Sequence, residues 1–186
     1  MRVIAGSAKG HRLQAPIGFD TRPTADRIKE SLFNMIAPDL PGCKFLDLFS
    51  GSGSIGIEAI SRGAEYAVFV ENNPIAIKSI QENLKHTKLE KHSIIYQNSV
   101  LQTLFQLGMK GHKFDIIFMD PPYHDNVLEL TLQTIKEYHL LDQQGYIIIE
   151  HSTTCPIQNI PTFKIWKEKT YKITKMTFLT LQEEEI

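Results

Sequence analysis

From residue 43 onward, short β-rich runs alternate with stretches of helical periodicity, and this alternation limits the possible folds more than any other feature of the chain. The β-rich runs predict strands at residues 44–49, 67–70, 93–97, 114–119 and 146–150. The helical stretches between them lie at about residues 54–63, 74–87, 100–109 and 126–139. Because parallel strands need a long crossover connection, usually a helix, the pattern predicts a doubly wound α/β domain around a buried parallel sheet.

The two ends of the chain depart from this alternation. Residues 163–169 and 174–181 are both β-rich, and the gap between them is too short for a helix. We therefore expect an antiparallel C-terminal hairpin, which makes a seven-stranded, mostly parallel sheet. Residues 1–25 contain several turn-forming glycines and prolines and predict a small N-terminal hairpin appendage. Residues 26–186 then form the main domain, which opens with a helix that Thr24 can cap.

The composition excludes several classes of protein. With 42% hydrophobic and 22% charged residues, the 186-residue chain has the composition of one globular domain. No apolar run approaches the roughly 18 residues of a membrane span, and the first residues lack the apolar stretch of a signal peptide. We therefore expect a cytoplasmic protein with no membrane partner. Two cysteines cannot form a disulfide framework, and the seven histidines show no ligand spacing, so we expect no metal site.

The charge is balanced overall but unevenly distributed. The formal net charge is −1, whereas residues 1–30 hold six basic and three acidic side chains and Glu183 to Glu185 are acidic. The asymmetry fits a polyanion that faces the first segment, and it fits an ordinary solvated surface equally well. We expect a monomer because no long unpaired hydrophobic face is visible in the sequence.

Polar residues cluster where the first four predicted strands end. The carboxyl ends of parallel strands meet at one edge of a sheet, and ligands bind there at the point where the strand order reverses. The sequence therefore predicts a binding site at this edge. The residues expected there are Asp47, Phe49, Ser50, Gly51, Ser52, Gly53, Glu71, Asn72, Asn98, Ser99, Asp120, Pro121, Pro122 and Tyr123.

The loop after the first strand indicates a nucleoside ligand. Residues 51–56 satisfy the pattern GxGxxG. Glu71 follows at the sequence separation typical of the carboxylate that accepts hydrogen bonds from ribose hydroxyls in nucleotide-binding folds. Glycines let the backbone approach a ligand closely. Asp47 disfavours a dinucleotide, because the pyrophosphate would lie nearby at the helix N-terminus and be repelled. S-adenosylmethionine has no phosphates, and its ammonium and sulfonium groups suit Asp47. A NAD-binding oxidoreductase and a purely structural turn remain as alternatives.

The sequence Asp-Pro-Pro-Tyr after the fourth strand indicates an amino group as the reacting partner. The two prolines cannot donate backbone hydrogen bonds. Where the chain leaves the sheet, we therefore expect only hydrogen-bond acceptors, which are the Asp120 carboxylate and the carbonyl oxygens. Two acceptors that bind the two hydrogens of an exocyclic amine favour the pyramidal form, whose lone pair points at an electrophile. Tyr123 can stack on the base that carries the amine.

These motifs resemble those of known enzymes. DLFSGSGSIGIEA (47–59), VEN (70–72) and DPPY (120–123) resemble the motifs of class I S-adenosylmethionine-dependent methyltransferases. RVIAGSAKGHRL near the N-terminus, TRPTADRIKESLFNMI (21–36) and LDLFSGSGSIGIEAISRGA (46–64) resemble the RsmD family, bacterial enzymes that methylate the exocyclic N2 of one guanine in 16S ribosomal RNA. The resemblance covers nearly the whole chain, and the RPTADRIKESLFN block is its most family-specific part.

The resemblance implies a Rossmann-like fold, S-adenosylmethionine as cofactor and 16S rRNA in the small ribosomal subunit as partner. It also implies that residues 1–25 face RNA. Contacts with RNA are expected from Arg12, Arg22, Thr24 and Arg27, and Lys29 is a further candidate for a phosphate contact. Asn98 stands where many relatives carry an acid, so an adenine contact there must use an amide or the backbone.

Two other functions are compatible with the same motifs. A DNA or RNA adenine N6-methyltransferase also uses DPPY, although reading a duplex groove usually needs more sequence than this chain has. A catalytically silent RNA-binding protein is the third possibility, and the intact DPPY argues against it.

Overall fold

A computed structural model describes residues 1–16, 26–122, 126–155, 157 and 162–182 of the chain. Within these described residues, twelve helices and strands follow one another in the order that the sequence predicts, with two 3-10 turns at Ala37–Asp39 and Glu90–His92. They are α1 (Asp26–Met35), β1 (Lys44–Leu48), α2 (Ser54–Ser61), β2 (Tyr66–Glu71), α3 (Pro74–Thr87), β3 (Ser93–Gln97), α4 (Val100–Met109), β4 (Phe114–Met119), α5 (Val127–Glu137), β5 (Leu141–Ser152), β6 (Phe163–Tyr171) and β7 (Thr174–Leu181). No helix among the described residues is long and apolar enough to cross a membrane.

The seven strands form one sheet in the order β3-β2-β1-β4-β5-β7-β6. Strands β1 to β5 are parallel, and β7 lies antiparallel between β5 and β6. This confirms the predicted mostly parallel sheet with an antiparallel C-terminal hairpin. β5 starts at Leu141, five residues before the predicted run, because a register shift in its pairing with β4 lets the polar residues 142–145 join the strand.

Helices cover both faces of the sheet, and the alternation of side chains along each strand divides the core into two layers. On one face, α1, α2 and α3 bury Leu32, Phe33 and Ile57 with the other residues of a cluster that includes Phe45 and Phe69. On the other face, α4 and α5 pack against a second cluster. Since successive residues of a strand point to opposite faces, Phe45 and Asp47 share the α2 side of β1.

The first sixteen residues form a short antiparallel hairpin that packs on the domain core. Arg2 and Arg12 form its antiparallel bridge, and Val3 and Leu13 are buried in the same cluster as α1 and α2. The backbone passes so close to α2 that a Cβ on Gly6 would lie 1.7 Å from the Ser61 carbonyl oxygen. The predicted boundary after residue 25, together with Arg22 and Thr24, lies outside the described residues.

A buried ion cluster joins this hairpin to α1 and α2. The Glu58 carboxylate accepts hydrogen bonds from the backbone N–H of Ile4 at 2.8 Å and of Ala5 at 3.0 Å. Lys29 Nζ lies 3.3 Å from the same carboxylate and donates to the Arg2 carbonyl oxygen at 2.6 Å. The side chains of Lys29 and Glu58 are fully buried. Burial lowers the pKa of Lys29, and Glu58 opposes that shift.

The burial of Lys29 corrects the prediction that this residue is a candidate for a phosphate contact. Its charge is neutralised inside the domain, where no phosphate can reach it. The residue instead fixes the position of the N-terminal hairpin, because its ammonium group bridges the hairpin backbone and α2.

Candidate active site at the rim of the sheet

The strand order reverses between β1 and β4, so the loops that follow these two strands leave the sheet side by side. This is the position at which open parallel sheets bind ligands. β2 and β3 extend the same rim, and their carboxyl ends lie next to that of β1. The sequence prediction that four strand ends meet at one edge therefore agrees with the observed topology.

A cavity of about 340 Å³ opens at this rim. Its walls combine apolar side chains with a few polar groups from the ends of β2 and β3. The lining residues are Phe49, Val70, Glu71, Asn72, Asn98, Ser99, Val100, Leu101, Pro122 and Val127. Five of the residues predicted to hold a cofactor, and one proline of the DPPY motif, thus line a single cavity.

The turn after β1 places Phe49 at the cavity in a strained backbone conformation. Phe49 has φ +59°, which bulky residues rarely adopt, and such outliers concentrate at functional sites. The next residue holds the turn in place, because the Ser50 hydroxyl donates to the Asp47 carbonyl oxygen at 2.6 Å and accepts from the Val70 N–H at 3.0 Å. The Ser50 hydroxyl therefore joins the end of β1 to β2.

The three glycines of the loop serve different purposes. Gly51 has φ +53° and no atom within 4 Å of where a Cβ would lie, so its backbone stands in open space. Gly53 caps α2 with φ +76°. A Cβ on Gly56 would lie 2.4 Å from the Phe69 ring, so this glycine lets α2 pack closely on β2. The loop is thus open to a ligand at Gly51 and tightly packed at Gly56.

Glu71 ties the glycine loop to the start of α3. One carboxylate oxygen accepts from the Gly51 N–H at 2.9 Å, and the other accepts from the N–H groups of Asn72 and Asn73, both at 2.9 Å. Each carboxylate oxygen has two lone pairs, and three of these four acceptor positions are used, so one remains for a hydroxyl group of a ligand in the cavity. The three backbone N–H donors fix the orientation of the Glu71 carboxylate that a ligand would contact.

Asp47 lies beneath the loop and is not exposed to the cavity, contrary to the expected direct contact with a cationic ligand. Its side chain is 1% exposed, and its carboxylate accepts from the Gly56 N–H at 3.0 Å. Burial raises the pKa of Asp47 well above its usual range, and the charges of Glu71 and Asp120 add to that rise. The position follows from the strand register, which places Asp47 on the face that α2 covers.

Asp120 and Pro121 lie beyond the end of β4, next to the glycine loop. The Asp120 side chain retains access to solvent, although the protein atoms around its carboxyl desolvate it enough to raise its pKa to about 6. Pro121 is buried and Pro122 is exposed at the cavity. Tyr123 lies outside the described residues.

The rim concentrates negative charge. Asp47, Glu71 and Asp120 come from three adjacent strands, and their mutual repulsion contributes to the raised pKa of Asp47. A cation bound beside Glu71 and Asp120 would relieve this repulsion, whereas a pyrophosphate would increase it. The electrostatics of the cavity therefore favour a positively charged ligand over a dinucleotide.

Asn83 is a contributor to the site that the sequence analysis missed. It is 1% exposed in α3, where its side-chain amide donates to the carbonyl oxygens of Ser52 and Gln14, both at 2.9 Å. Its amide oxygen accepts from the Gln14 N–H at 2.8 Å. The side chain thus joins the glycine loop to the N-terminal hairpin. Its only signal in the sequence is a polar residue between Ile80 and Leu84 on the buried face of α3.

The basic residues predicted to meet a substrate are only partly described. Arg12 and Arg27 are exposed, and neither has an ion-pair partner among the described residues. Arg2, which bridges Arg12, lies 3.5 Å from Asp26 at the start of α1. The hairpin and the first turn of α1 therefore form one surface.

Comparison with known proteins identifies the family. Residues 1–180 match the family model described as Conserved hypothetical protein 95. YlbH of Bacillus subtilis is 42% identical over 175 residues, which cover 94% of this chain and 95% of that protein. Ribosomal RNA small subunit methyltransferase D of Haemophilus influenzae is 36% identical over 172 residues, which cover 91% of this chain and 88% of that protein.

A solved structure gives the same result for the fold. The structure of yhhF from Escherichia coli matches with a TM-score of 0.86 at 27% identity and covers 98% of both chains. The family match extends over the N-terminal hairpin, the glycine loop and the DPP turn that build the rim. The chain therefore belongs to the family described as Conserved hypothetical protein 95, the RsmD family of methyltransferases.

Proposed function

We propose that this chain transfers a methyl group from S-adenosylmethionine to the exocyclic N2 of a guanine in 16S rRNA of the small ribosomal subunit, and that it acts as a monomer. The observation that carries the proposal is the adjacency of two loops at one rim. One loop is the glycine turn that the Glu71 carboxylate holds, and the other begins with Asp120 and two prolines, which donate no backbone hydrogen bond. The H. influenzae relative, whose name describes a small-subunit rRNA methyltransferase, supports the choice of RNA.

The residues of the cavity fit S-adenosylmethionine. Glu71 has one acceptor position left for a ribose hydroxyl, and its orientation is fixed by three backbone donors. Phe49, Val100 and Leu101 supply apolar walls for an adenine ring, with Asn98 and Ser99 at the polar edge. Asp47 acts through the buried hydrogen bond that shapes the loop. When bound, S-adenosylmethionine supplies the electrophilic methyl group.

Asp120 and Pro121 are proposed to orient the amine that receives the methyl group. The Asp120 carboxylate and the Pro121 carbonyl oxygen accept the two amine hydrogens, which directs the nitrogen lone pair toward the cavity. The carboxylate also stabilises the positive charge that develops on the nitrogen, and the methylated nitrogen, which is acidic, then releases one proton to give the neutral product. Holding both reactants in line lowers the barrier mainly through proximity and orientation.

The target base must leave its stack to reach this rim. A base within a helix cannot present its amine to a turn at the end of a strand, so the substrate guanine is unpaired or flipped. Pro122 lies at the cavity wall, and we propose that Tyr123 next to it stacks on the base. We also propose that Arg12, Arg22, Thr24 and Arg27 contact the RNA around it.

Turnover should depend on the ionisation of Asp120. The proposed role requires the carboxylate, and desolvation raises the pKa of Asp120 to about 6. Below that pH the group becomes protonated and loses an acceptor, so kcat/KM should fall about tenfold for each further pH unit, because kcat/KM reports the pKa values of the free protein. The profile of kcat/KM for RNA against pH measures this limb. A rate that stays constant from neutral pH to well below pH 6 contradicts the role.

Glu71 should control cofactor affinity. In Glu71→Gln one acceptor oxygen becomes an amide donor that faces backbone N–H groups and hydroxyls, so we expect the Kd for S-adenosylmethionine to rise about 10- to 100-fold. Calorimetric titration measures the change, and urea unfolding separates it from a loss of fold. Glu65→Gln, an exposed change before β2 at the opposite edge of the sheet, is the matched control. Equal affinities of the two variants for S-adenosylmethionine would show that Glu71 does not bind the cofactor.

The proposed reaction is tested by product analysis. Purified protein is incubated with methyl-labelled S-adenosylmethionine and small-subunit rRNA, both protein-free and in assembled subunits, from cells that lack the gene. Mass spectrometry of the nucleosides should find label in N2-methylguanosine. Label in N6-methyladenosine would point to the adenine reaction instead, and an unlabelled RNA would refute the proposal. Parallel calorimetry with NAD should show no binding.

A further inference from the structure

The C-terminal hairpin carries an exposed basic surface that lies outside the cavity. Residues 163–175 contain five lysines and one glutamate, a net charge of +4 in a chain whose formal net charge is −1. The glutamate, Glu168, is paired with Lys175 at 2.6 Å. The remaining lysines are Lys164, Lys167, Lys169 and Lys172, and none of them forms an ion pair with another described residue.

Three of these lysines share one face of β6. Lys167 pairs with Phe178, and Lys169 pairs with Met176. Both lysines therefore lie on the same side of the sheet as Phe178 and Met176. Nearer the centre of the sheet, α1 and α2 cover this side. Lys164 pairs with Thr180, two residues beyond Phe178, and so lies on the same side. β6 is the last strand of the sheet, so this face lies at the sheet edge. Lys164 and Lys169 are exposed.

Trp166 stands among these lysines as a partly exposed, well-supported ring. The register shift between Ile165 and Lys167 places it on the same side, where it packs at 5.6 Å from the Phe178 ring and 6.0 Å from the Tyr146 ring. It nevertheless remains 48% exposed. Lys167 Nζ lies 5.5 Å from the Trp166 ring centre. We call Lys164, Trp166, Lys167 and Lys169 the β6 strip.

The β6 strip leads to the rim of the candidate active site. β6 runs in the same direction as β5, so its last residue, Tyr171, lies at the rim where β5 ends. The Tyr171 hydroxyl is 2.7 Å from the Ser31 hydroxyl of α1, which joins the end of the strip to the surface formed by α1 and the N-terminal hairpin. Lys172 follows in the exposed turn.

We propose that the β6 strip binds the sugar–phosphate backbone of the substrate RNA beside the target nucleotide, with one base stacked on Trp166. The proposal rests on the proposed function for the identity of the RNA. Charge complementarity favours this occupant, because a row of unpaired lysines matches a row of phosphates and an exposed indole matches a base. From Lys164 to Lys169 the strip spans roughly 17 Å, long enough for more than one nucleotide.

The first test uses the only tryptophan of the chain as a reporter. Protein-free small-subunit rRNA is titrated into the protein, and Trp166 fluorescence is compared with binding measured by filter retention. Fluorescence should be quenched with the same midpoint as retention, whereas S-adenosylmethionine alone should leave it unchanged. Unaltered fluorescence at saturating RNA would overturn the proposal, and so would a failure to retain the RNA.

The second test removes charge from the strip. In Lys164→Gln/Lys169→Gln the Kd for this RNA should rise roughly tenfold, and the slope of log Kd against log salt should fall by about 1.4, because each single-strand phosphate contact contributes about 0.7. The control is Lys85→Gln/Lys91→Gln, which removes the same charge from exposed positions near the start of β3. Equal effects in the two double variants would overturn the proposal.

The test of RNA binding by the β6 strip and the test of the proposed reaction can fail independently of each other. The strip lies outside the cavity, so the Lys164→Gln/Lys169→Gln variant should keep the wild-type kcat at saturating RNA and the wild-type affinity for S-adenosylmethionine, with only KM for RNA raised. Absence of N2-methylguanosine with the wild-type protein refutes the proposed reaction. RNA binding by the strip is decided independently by fluorescence and salt dependence. An effect confined to assembled subunits would indicate a protein partner and refute the RNA assignment.

Discussion

Asp120→Asn is expected to lower kcat by about 100- to 1,000-fold, the usual cost of removing one group that stabilises developing charge. The asparagine keeps the size of the side chain but replaces one acceptor oxygen by a donor, which would face the amine hydrogens. The variant should bind S-adenosylmethionine almost as tightly as the wild type, because the cavity wall is formed by other residues. Single-turnover methyl transfer to saturating RNA measures the loss.

The matched control is Asp142→Asn. Asp142 is a partly exposed residue near the start of β5, at the opposite edge of the sheet from the rim, and should leave turnover unchanged. Residual activity of Asp120→Asn should also lose the acid limb near pH 6. If Asp120→Asn turns over at the wild-type rate, the amine is oriented by another group and the proposed mechanism is wrong.

Glu58→Gln is expected to destabilise the fold by about 3–5 kcal/mol, because it leaves the buried Lys29 ammonium without its counter-charge. The change also places an amide NH2 against the donors of the N-terminal hairpin or Arg62, whose Nε lies 2.8 Å from the carboxylate. Urea unfolding measures the free energy, and the melting temperature should fall by on the order of 10 °C.

Glu82→Gln provides the comparison for this change. Glu82 is exposed in α3 and pairs with Lys78 only at 3.9 Å, so its replacement should alter stability by less than about 0.5 kcal/mol. Hydrogen exchange adds a local measurement, because the amides of Ile4 and Ala5 should lose protection in Glu58→Gln. Unchanged stability together with retained protection would show that the buried ion cluster does not hold the hairpin.

The fold and the rim could be predicted because their signals are local. Five β-rich runs separated by helical stretches specify a parallel sheet, and polar residues at strand ends then specify where a ligand binds. Glu71, Asn98 and Pro122 were placed at one cavity on this basis, and they line it. The burial of Asp47 is a local feature that the sequence analysis missed, since Asp47 is two residues after the buried Phe45 and shares its face.

The remaining features could not be predicted because they depend on contacts between distant parts of the chain. Nothing near Lys29 in the sequence indicates that Glu58 will neutralise it inside the core, and a lysine on an amphipathic helix is usually exposed. Asn83 acquires its role only when the hairpin and the glycine loop pack against α3. The β6 strip likewise depends on a register shift that turns Trp166 toward Phe178.

A crystal structure of the protein with S-adenosylmethionine tests the central claim most directly. We predict the adenosine in the cavity beside Phe49, a ribose hydroxyl on the Glu71 carboxylate, and the sulfonium methyl facing the Asp120 side chain. A cofactor bound away from this rim, or bound there with its methyl directed away from Asp120, would contradict the account.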